Sequence, residues 1–342
     1  MEKSKLISRR NFIEKAAITG GLAALGSETV FGKTIRTQEI LPRELWIATV
    51  SQEGLSADTP ADMLQTILSI VKRSIAYRPD VVCLPEYYMI TRIKQRISFE
   101  ERVDISEALL KDLSVFARTN GCYMICPAFT RENGKTYNAA VVIDRQGNRI
   151  GEYRKMHLPL DELEAGFTPG PLQPPVFKTD FGVIGIQICY DGNWHDGWEA
   201  LQKQGAEVVF WPSAYSGGRT INARAWENNY VVVTSTREIS KICDITGDVV
   251  AQTGTWDRNL ICAPVNLEKA FIGSWPHNRH FDAIRTKYGR KIKITNYHDE
   301  NWTVLESISP DVRVNDILKE FNIKTSKQEM DGTDKISNKL RI

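Results

Sequence analysis

Three side chains stand where apolar runs give out. Glu86 closes Val81-Val82-Cys83-Leu84-Pro85, Lys155 ends a segment that returns from a turn at 144–148, and Cys189 follows Val183 to Ile188. A cysteine attacks as its thiolate and so needs a base, and a carboxylate in a partly desolvated site has its pKa raised enough to serve. The tetrahedral intermediate then needs a fixed positive charge or aligned N–H donors at its oxyanion. Glutamate, lysine and cysteine are the minimum set for acyl chemistry through a thioester. None of the five histidines is required when the base is a carboxylate. Taken singly, each residue has a plainer role: Cys189 as a core thiol, Lys155 as a surface cation, Glu86 as a turn carboxylate or helix cap. The three together shift the weight toward chemistry.

The elements that must position them are legible from periodicity. Asp58-Thr59-Pro60 supplies a cap and a first-turn proline, after which Met63, Leu64, Ile67, Leu68, Val71 and Ile75 recur at helical spacing. Arg78-Pro79-Asp80 ends that helix, and Val81 to Leu84 suits a strand buried on both faces. A second helix is expected over Ile105 to Thr119, broken by Asn120-Gly121, then strands at Tyr123 to Phe129, Tyr137 to Ile143 and Arg149 to Lys155. Val183 to Tyr190 reads as the most apolar strand, followed by the turn Asp191-Gly192-Asn193. A helix around Trp198 to Gln204, a strand Val208 to Trp211, a helix from Ile221 to Asn229 and a strand Tyr230 to Thr236 continue the alternation. Buried strands alternating with helices and interrupted by hairpins argue for a layered α/β domain with mixed sheets, where functional side chains emerge at strand ends.

Composition sets outer bounds. Of 342 residues, 42% are hydrophobic and 25% charged, and Lys+Arg 44 against Asp+Glu 42 leaves a net charge of +2. A chain of this kind buries a substantial core, which argues against disorder, a collagen-like fibre or a disulfide knot. The near-zero charge gives no electrostatic reason to expect nucleic acid as partner. The sequence has no uninterrupted apolar run of the roughly eighteen residues that a membrane span needs. Cys83, Cys122, Cys126 and Cys189 lie in apolar runs, where a thiol behaves as a small hydrophobe, so a zinc site is not expected; nor does the sequence imply any other metal or an organic cofactor.

Both ends of the chain read differently from its middle. Lys3, Lys5, Arg9 and Arg10 precede a short apolar stretch from Ala16 to Gly26, and Ser8-Arg9-Arg10-Asn11-Phe12-Ile13 resembles a twin-arginine export signal. Residues 1–32 are expected to be that signal, which makes the export machinery a partner and places the mature protein in the periplasm, or in the cytoplasm if the signal is not used. Residues 272–342, with Arg279, Arg285, Lys287, Arg290, Lys291 and Lys293 among few apolar pairs, read as an extension wrapped on a neighbouring subunit or on the same domain. The last fifteen residues are expected to be disordered.

Leu84-Pro85-Glu86, Tyr153-Arg154-Lys155-Met156-His157-Leu158 and Ile188-Cys189-Tyr190-Asp191 resemble the three motifs of the nitrilase superfamily of carbon–nitrogen hydrolases, in the family's order. The resemblance covers residues 45–271, including Phe167-Thr168-Pro169-Gly170 and Trp211-Pro212-Ser213-Ala214. It implies a four-layer α-β-β-α sandwich, two mixed β-sheets flanked by helices. It also implies Glu86 as general base, Cys189 as nucleophile, and Lys155 with the backbone N–H of Tyr190 as oxyanion stabilisers. Members carry a further glutamate after the lysine; Glu162 fits best and Glu164 is the alternative. Nitrile-cleaving members usually have Cys-Trp-Glu, whereas Cys189-Tyr190-Asp191 favours an amide or ureido substrate. His195-Asp196 departs from the family's frequent Pro-Glu, and Trp194, Trp211 and Tyr215 are candidates either to line the pocket or simply to pack the core. A homodimer or larger homo-oligomer is implied, and no cofactor. The competing expectations are nitrile hydrolysis, acyl transfer on the same site, and a catalytically silent exported binding or assembly module.

Overall fold

The computed structural model describes residues 41–341, so the expected export signal at 1–32 lies outside the described residues. The chain runs through β1 (Glu44–Val50), α1 (Pro60–Val71), β2 (Val81–Cys83), α2 (Glu101–Asn120), β3 (Tyr123–Glu132), β4 (Lys135–Ile143) and β5 (Arg149–Arg154). A short α3 (Leu160–Glu164) leads to β6 (Phe177–Lys178), β7 (Val183–Ile186), α4 (Asp196–Lys203), β8 (Val208–Ser213) and α5 (Gly218–Asn228). Then come β9 (Val231–Thr236), β10 (Lys241–Cys243), β11 (Val249–Gln252) and β12 (Leu260–Asn266). Two six-stranded sheets result, ordered β12-β1-β2-β3-β4-β5 and β11-β10-β9-β8-β7-β6. Each is parallel at its centre, through β1, β2 and β3 in one and β7, β8 and β9 in the other.

The sequence shows why the layers stack. Thr59 caps α1 reciprocally with Asp62, and the buried residues Met63, Leu64, Ile67, Leu68 and Val71 are those of the expected stripe. That stripe and the apolar face of α2 pack on one sheet, while Trp198 and Leu201 of α4 and Ile221 and Ala225 of α5 pack on the other. The inward faces meet in a third cluster, Ile47, Val81, Ile125 and Val142 against Ile184, Ile186, Val208 and Val233. Each such side chain contributes about 1.5–3 kcal/mol when fully buried. Hydrogen bonds also cross between the sheets, with Ser235 Oγ donating to the Val50 carbonyl at 2.7 Å and to that of Cys83 at 3.1 Å. This is the four-layer α-β-β-α sandwich.

Two local features set the register around the future site. Asn133 and Gly134 both adopt positive φ, 51° and 77°, and join β3 to β4 as a two-residue hairpin turn. That register places Asn138 opposite Phe129, and its carbonyl accepts the Lys155 N–H at 2.9 Å. Gly170 donates to the Lys155 carbonyl at 2.8 Å, and a Cβ there would come within 2.3 Å of the Arg154 carbonyl oxygen, so only glycine lets this loop lie against the lysine segment.

The structure corrects several boundaries. α2 begins at Glu101 rather than Ile105, because Val103 already belongs to its buried face. The strand expected to reach Tyr190 stops at Ile186, and Cys189–Asn193 forms a single 3-10 turn. The C-terminal extension lies on the same domain: β13 (Lys269–Gly273), β14 (Ile292–Tyr297) and β15 (Trp302–Ser307) form a sheet ordered β13-β15-β14. Ile272, Leu305 and Ile292 on one face pack with α6 (Phe281–Tyr288) and α7 (Val314–Glu320). Phe271 and Val304 on the other face join the inter-sheet core. In place of the expected disordered tail, Ser326–Leu340 form the helix α8. Its Thr325–Gln328 capping box satisfies the first turn. Ser326 donates to Asn229 Oδ1 at 2.9 Å, and Glu329 meets His277 Nε2 at 2.7 Å, so polar anchors hold a helix that composition alone does not favour.

Candidate active site

The parallel strands deliver their carboxyl ends to one place. Glu86 follows β2, Cys189 follows β7, and Ser213-Ala214 end β8 beside it. Glu86 is fully buried, and its Oε2 accepts the Ala214 N–H at 2.9 Å. The Cys189 thiol faces that same N–H and the Ser213 hydroxyl, so carboxylate and thiol share a neighbour. Lys155, buried to 1% exposure, donates from Nζ to Glu86 Oε1 at 3.0 Å and to Glu162 Oε1 at 2.6 Å. Glu162 is buried on α3 whereas Glu164 is exposed, and this settles which glutamate meets the lysine.

The electrostatics follow from burial and neighbours. Desolvation works against the Lys155 ammonium, but Glu86, Cys189 and Glu162 outweigh it and hold its pKa above the ordinary lysine value. Burial raises the Glu162 carboxyl, with Lys155 opposing and Glu86 reinforcing the rise. Burial and then Glu86 push the Cys189 thiol up to about 12, against Lys155. A thiol so shifted is neutral at ordinary pH, and it would need a neighbouring base to react as a thiolate.

Cys189 sits at φ 46°, in the left-handed region that a residue with a Cβ seldom occupies. Its carbonyl is held by the Trp211 indole N–H at 3.1 Å and the Tyr215 hydroxyl at 3.4 Å. Trp211 is fully buried, with Tyr215 edge-on to it at 5.1 Å, so Trp211 lies behind Cys189 and holds its backbone rather than lining a surface. Tyr190, Trp194 and Tyr215 are 37%, 37% and 40% exposed and remain free to meet a ligand. Asp191 is wholly buried. Its Oδ2 accepts from the Ile188 N–H at 2.9 Å and the Tyr153 hydroxyl at 2.7 Å, which bends the chain into the nucleophile turn.

Sequence reasoning missed Asn138 and Tyr87. The Asn138 amide donates to Glu86 Oε1 at 2.9 Å, reaches both Glu162 oxygens at 3.4 Å, and lies 3.1 Å from the Tyr87 hydroxyl. A lone amide side chain inside the apolar run Tyr137 to Ile143 was the available signal, since a buried polar group implies a partner. Replacing Asn138 with leucine is expected to lower kcat/KM about tenfold to a hundredfold, because hydrogen bonds to charged groups are worth about 1.5–3 kcal/mol. Steady-state rates alongside a melting curve check this, and an unchanged rate would remove Asn138 from the site. Among the described residues, no group of three or more His, Cys, Asp or Glu is placed to hold a metal ion.

The chain is similar to known proteins in sequence and in fold. A deaminated glutathione amidase of Synechocystis sp. is 28% identical over 204 residues, 56% of this chain and 72% of that protein. An N-carbamoylputrescine amidase of Solanum tuberosum is 26% identical over 217 residues, 54% of this chain and 72% of its own length. A double mutant of the amidase from Nesterenkonia sp. AN1, solved in complex with acrylamide, shares the fold with a TM-score of 0.58 at 19% identity, covering 65% of this chain and 91% of that one. The carbon-nitrogen hydrolase family model matches residues 47–275, from β1 through β13, and the chain belongs to that family.

Proposed function

We propose that this hydrolase acts on an amide or N-carbamoyl (ureido) bond of a small molecule, with Cys189 as nucleophile, Glu86 as general base and acid, and Lys155 as oxyanion stabiliser. The observation that carries the assignment is the buried ammonium of Lys155 held between Glu86 and Glu162, next to a thiol fixed on a left-handed turn. Glu86 takes the thiol proton as sulfur attacks the carbonyl carbon. The developing oxyanion is met by Lys155 and by the Tyr190 N–H, a first-turn amide with no partner inside its own helix. Collapse of the intermediate breaks the C–N bond, and Glu86 returns its proton to the departing nitrogen. The thioester left on Cys189 is attacked by water, which Glu86 deprotonates, and the acid leaves as the thiol is restored.

Support for amide or ureido over nitrile comes from Tyr190-Asp191 after the cysteine and from the names of the relatives, an amidase and a carbamoyl amidase. Two further parts of the reading are action outside the cytoplasm, supported by Ser8-Arg9-Arg10-Asn11-Phe12-Ile13, and assembly as a homo-oligomer, supported by family resemblance. The test is ammonia release from simple amides, N-carbamoyl amino acids, carbamoyl amines and nitriles, with Cys189→Ala as control. Release confined to amides or carbamoyl compounds is expected. A preference for nitriles would overturn the substrate class, and amine-dependent transfer without ammonia would mark an acyl transferase.

A further inference from the structure

The geometry points to His157 as a positioning residue: an imidazolium clamp that fastens the segment carrying Lys155 to the turn carrying Cys189 and holds Trp194 beside that turn. His157 lies two residues after the lysine. Its backbone N–H donates to Asp191 Oδ1 at 2.8 Å, and its ring Nδ1 faces the same oxygen at 3.1 Å. On the opposite side Nε2 faces Asp196 Oδ2 at 3.4 Å. A neutral imidazole carries one N–H and would turn a lone pair toward one of these carboxylates, whereas the imidazolium donates to both. The ring lies parallel to Trp194, with centroids 4.3 Å apart and planes 3° apart, an arrangement that favours the charged form over an indole face. Tyr190 meets Trp194 edge-on at 5.0 Å, so one stack runs from the clamp to the residue whose amide serves the oxyanion.

The charged groups facing His157 are Asp191 from the nucleophile turn and Asp196 from the start of α4, with Tyr153 bonded to the second oxygen of Asp191. The Asp191 hydrogen bond is the largest influence on the ring. It raises the pKa above the ordinary histidine value, burial opposes the rise, and Asp196 adds to it. The sign follows: a raised histidine supplies its ordering at lower pH and loses it as pH rises through the folded-state value. Lys155 is shifted upward, the Cys189 thiol to about 12, and Tyr87 upward, so these groups do not deprotonate near neutrality. A limb on which activity falls as pH rises through the raised histidine value belongs to the clamp.

This rests on the assignment of Cys189 and Lys155 above. The test is the pH profile of kcat/KM for ammonia release, with histidine Cε1–H resonances followed by NMR, in the wild type, His157→Gln and Asp196→Asn. The wild type is expected to lose activity with rising pH in step with one resonance titrating above the ordinary value of about 6.5. His157→Gln is expected to lose that resonance and that limb and to run about tenfold slower at pH 6.5. Asp196→Asn alters a half-exposed residue and so serves even if His157→Gln does not fold; it should move resonance and limb together to lower pH. A limb that stays in place in either variant, or moves apart from the resonance, overturns the clamp. Ammonia release surviving Cys189→Ala would overturn the underlying assignment instead, and the clamp with it.

Discussion

Cys189→Ala is expected to release no measurable ammonia from any substrate the wild type accepts, a loss on the order of 10⁴-fold or more, as befits removal of a nucleophile. The environment of this residue makes the result specific to its sulfur. Trp211 and Tyr215 hold the turn through the Cys189 carbonyl, which alanine keeps. Glu86 keeps its bonds to Ala214, Asn138 and Lys155, so the charged cluster persists. Stability should accordingly change by no more than about 1 kcal/mol. Mass spectrometry of rapidly quenched reactions should find an acyl adduct on the wild type and none on the variant. Turnover by a folded Cys189→Ala protein would refute the thioester route through this residue.

Lys155→Met should damage activity and stability together. Loss of an oxyanion donor costs about 10²–10³ in rate. In addition, Glu86 and Glu162, both buried, would face each other without a cation, and the donors left to them, Asn138 to both and the Ala214 N–H to Glu86, are neutral. Breaking a buried ion pair by removing one partner destabilises by about 3–5 kcal/mol. The pH dependence has a definite sign. Burial and Glu86 already raise the Glu162 carboxyl, and without the opposing ammonium it is lifted further above its unfolded value, so folding stability is retained at low pH and lost as pH rises through the folded value. Melting temperatures at acidic and alkaline pH should show the deficit relative to wild type shrinking in acid. An equal deficit at both, or an undiminished rate, would show that Lys155 is not the cation balancing these carboxylates.

The site was partly legible because its three main residues mark places where one-dimensional pattern meets geometry. Val81 to Cys83 is buried on both faces, and a parallel strand that apolar has nowhere to place a glutamate except at its end. The same logic exposed Cys189 after Val183 to Ile188 and Lys155 after β5. The α1 cap was equally readable, because Thr59, Pro60 and Asp62 act within one turn of chain. The Thr325–Gln328 capping box was a signal of the same kind, and the polar composition around it masked it.

Choices that depend on partners far apart in sequence lay out of reach. Only packing brings Asn138 to Glu86 across 52 residues and the Ala214 N–H to Glu86 across 128. Glu162 and Glu164 look alike in sequence, but α3 buries one against Lys155 and leaves the other in solvent. Aromatic type could not separate Trp211, sealed behind the nucleophile, from Trp194, stacked on His157. By itself the sequence determined the layered α/β class, the strand ends and the chemical set of thiol, carboxylate and ammonium, because periodicity and turn chemistry are local. Tertiary structure alone decided which carboxylate meets the lysine, what holds the cysteine in its left-handed turn and what faces His157. Those outcomes are set by hydrogen bonds and burial between segments that come together only when both sheets close on one core.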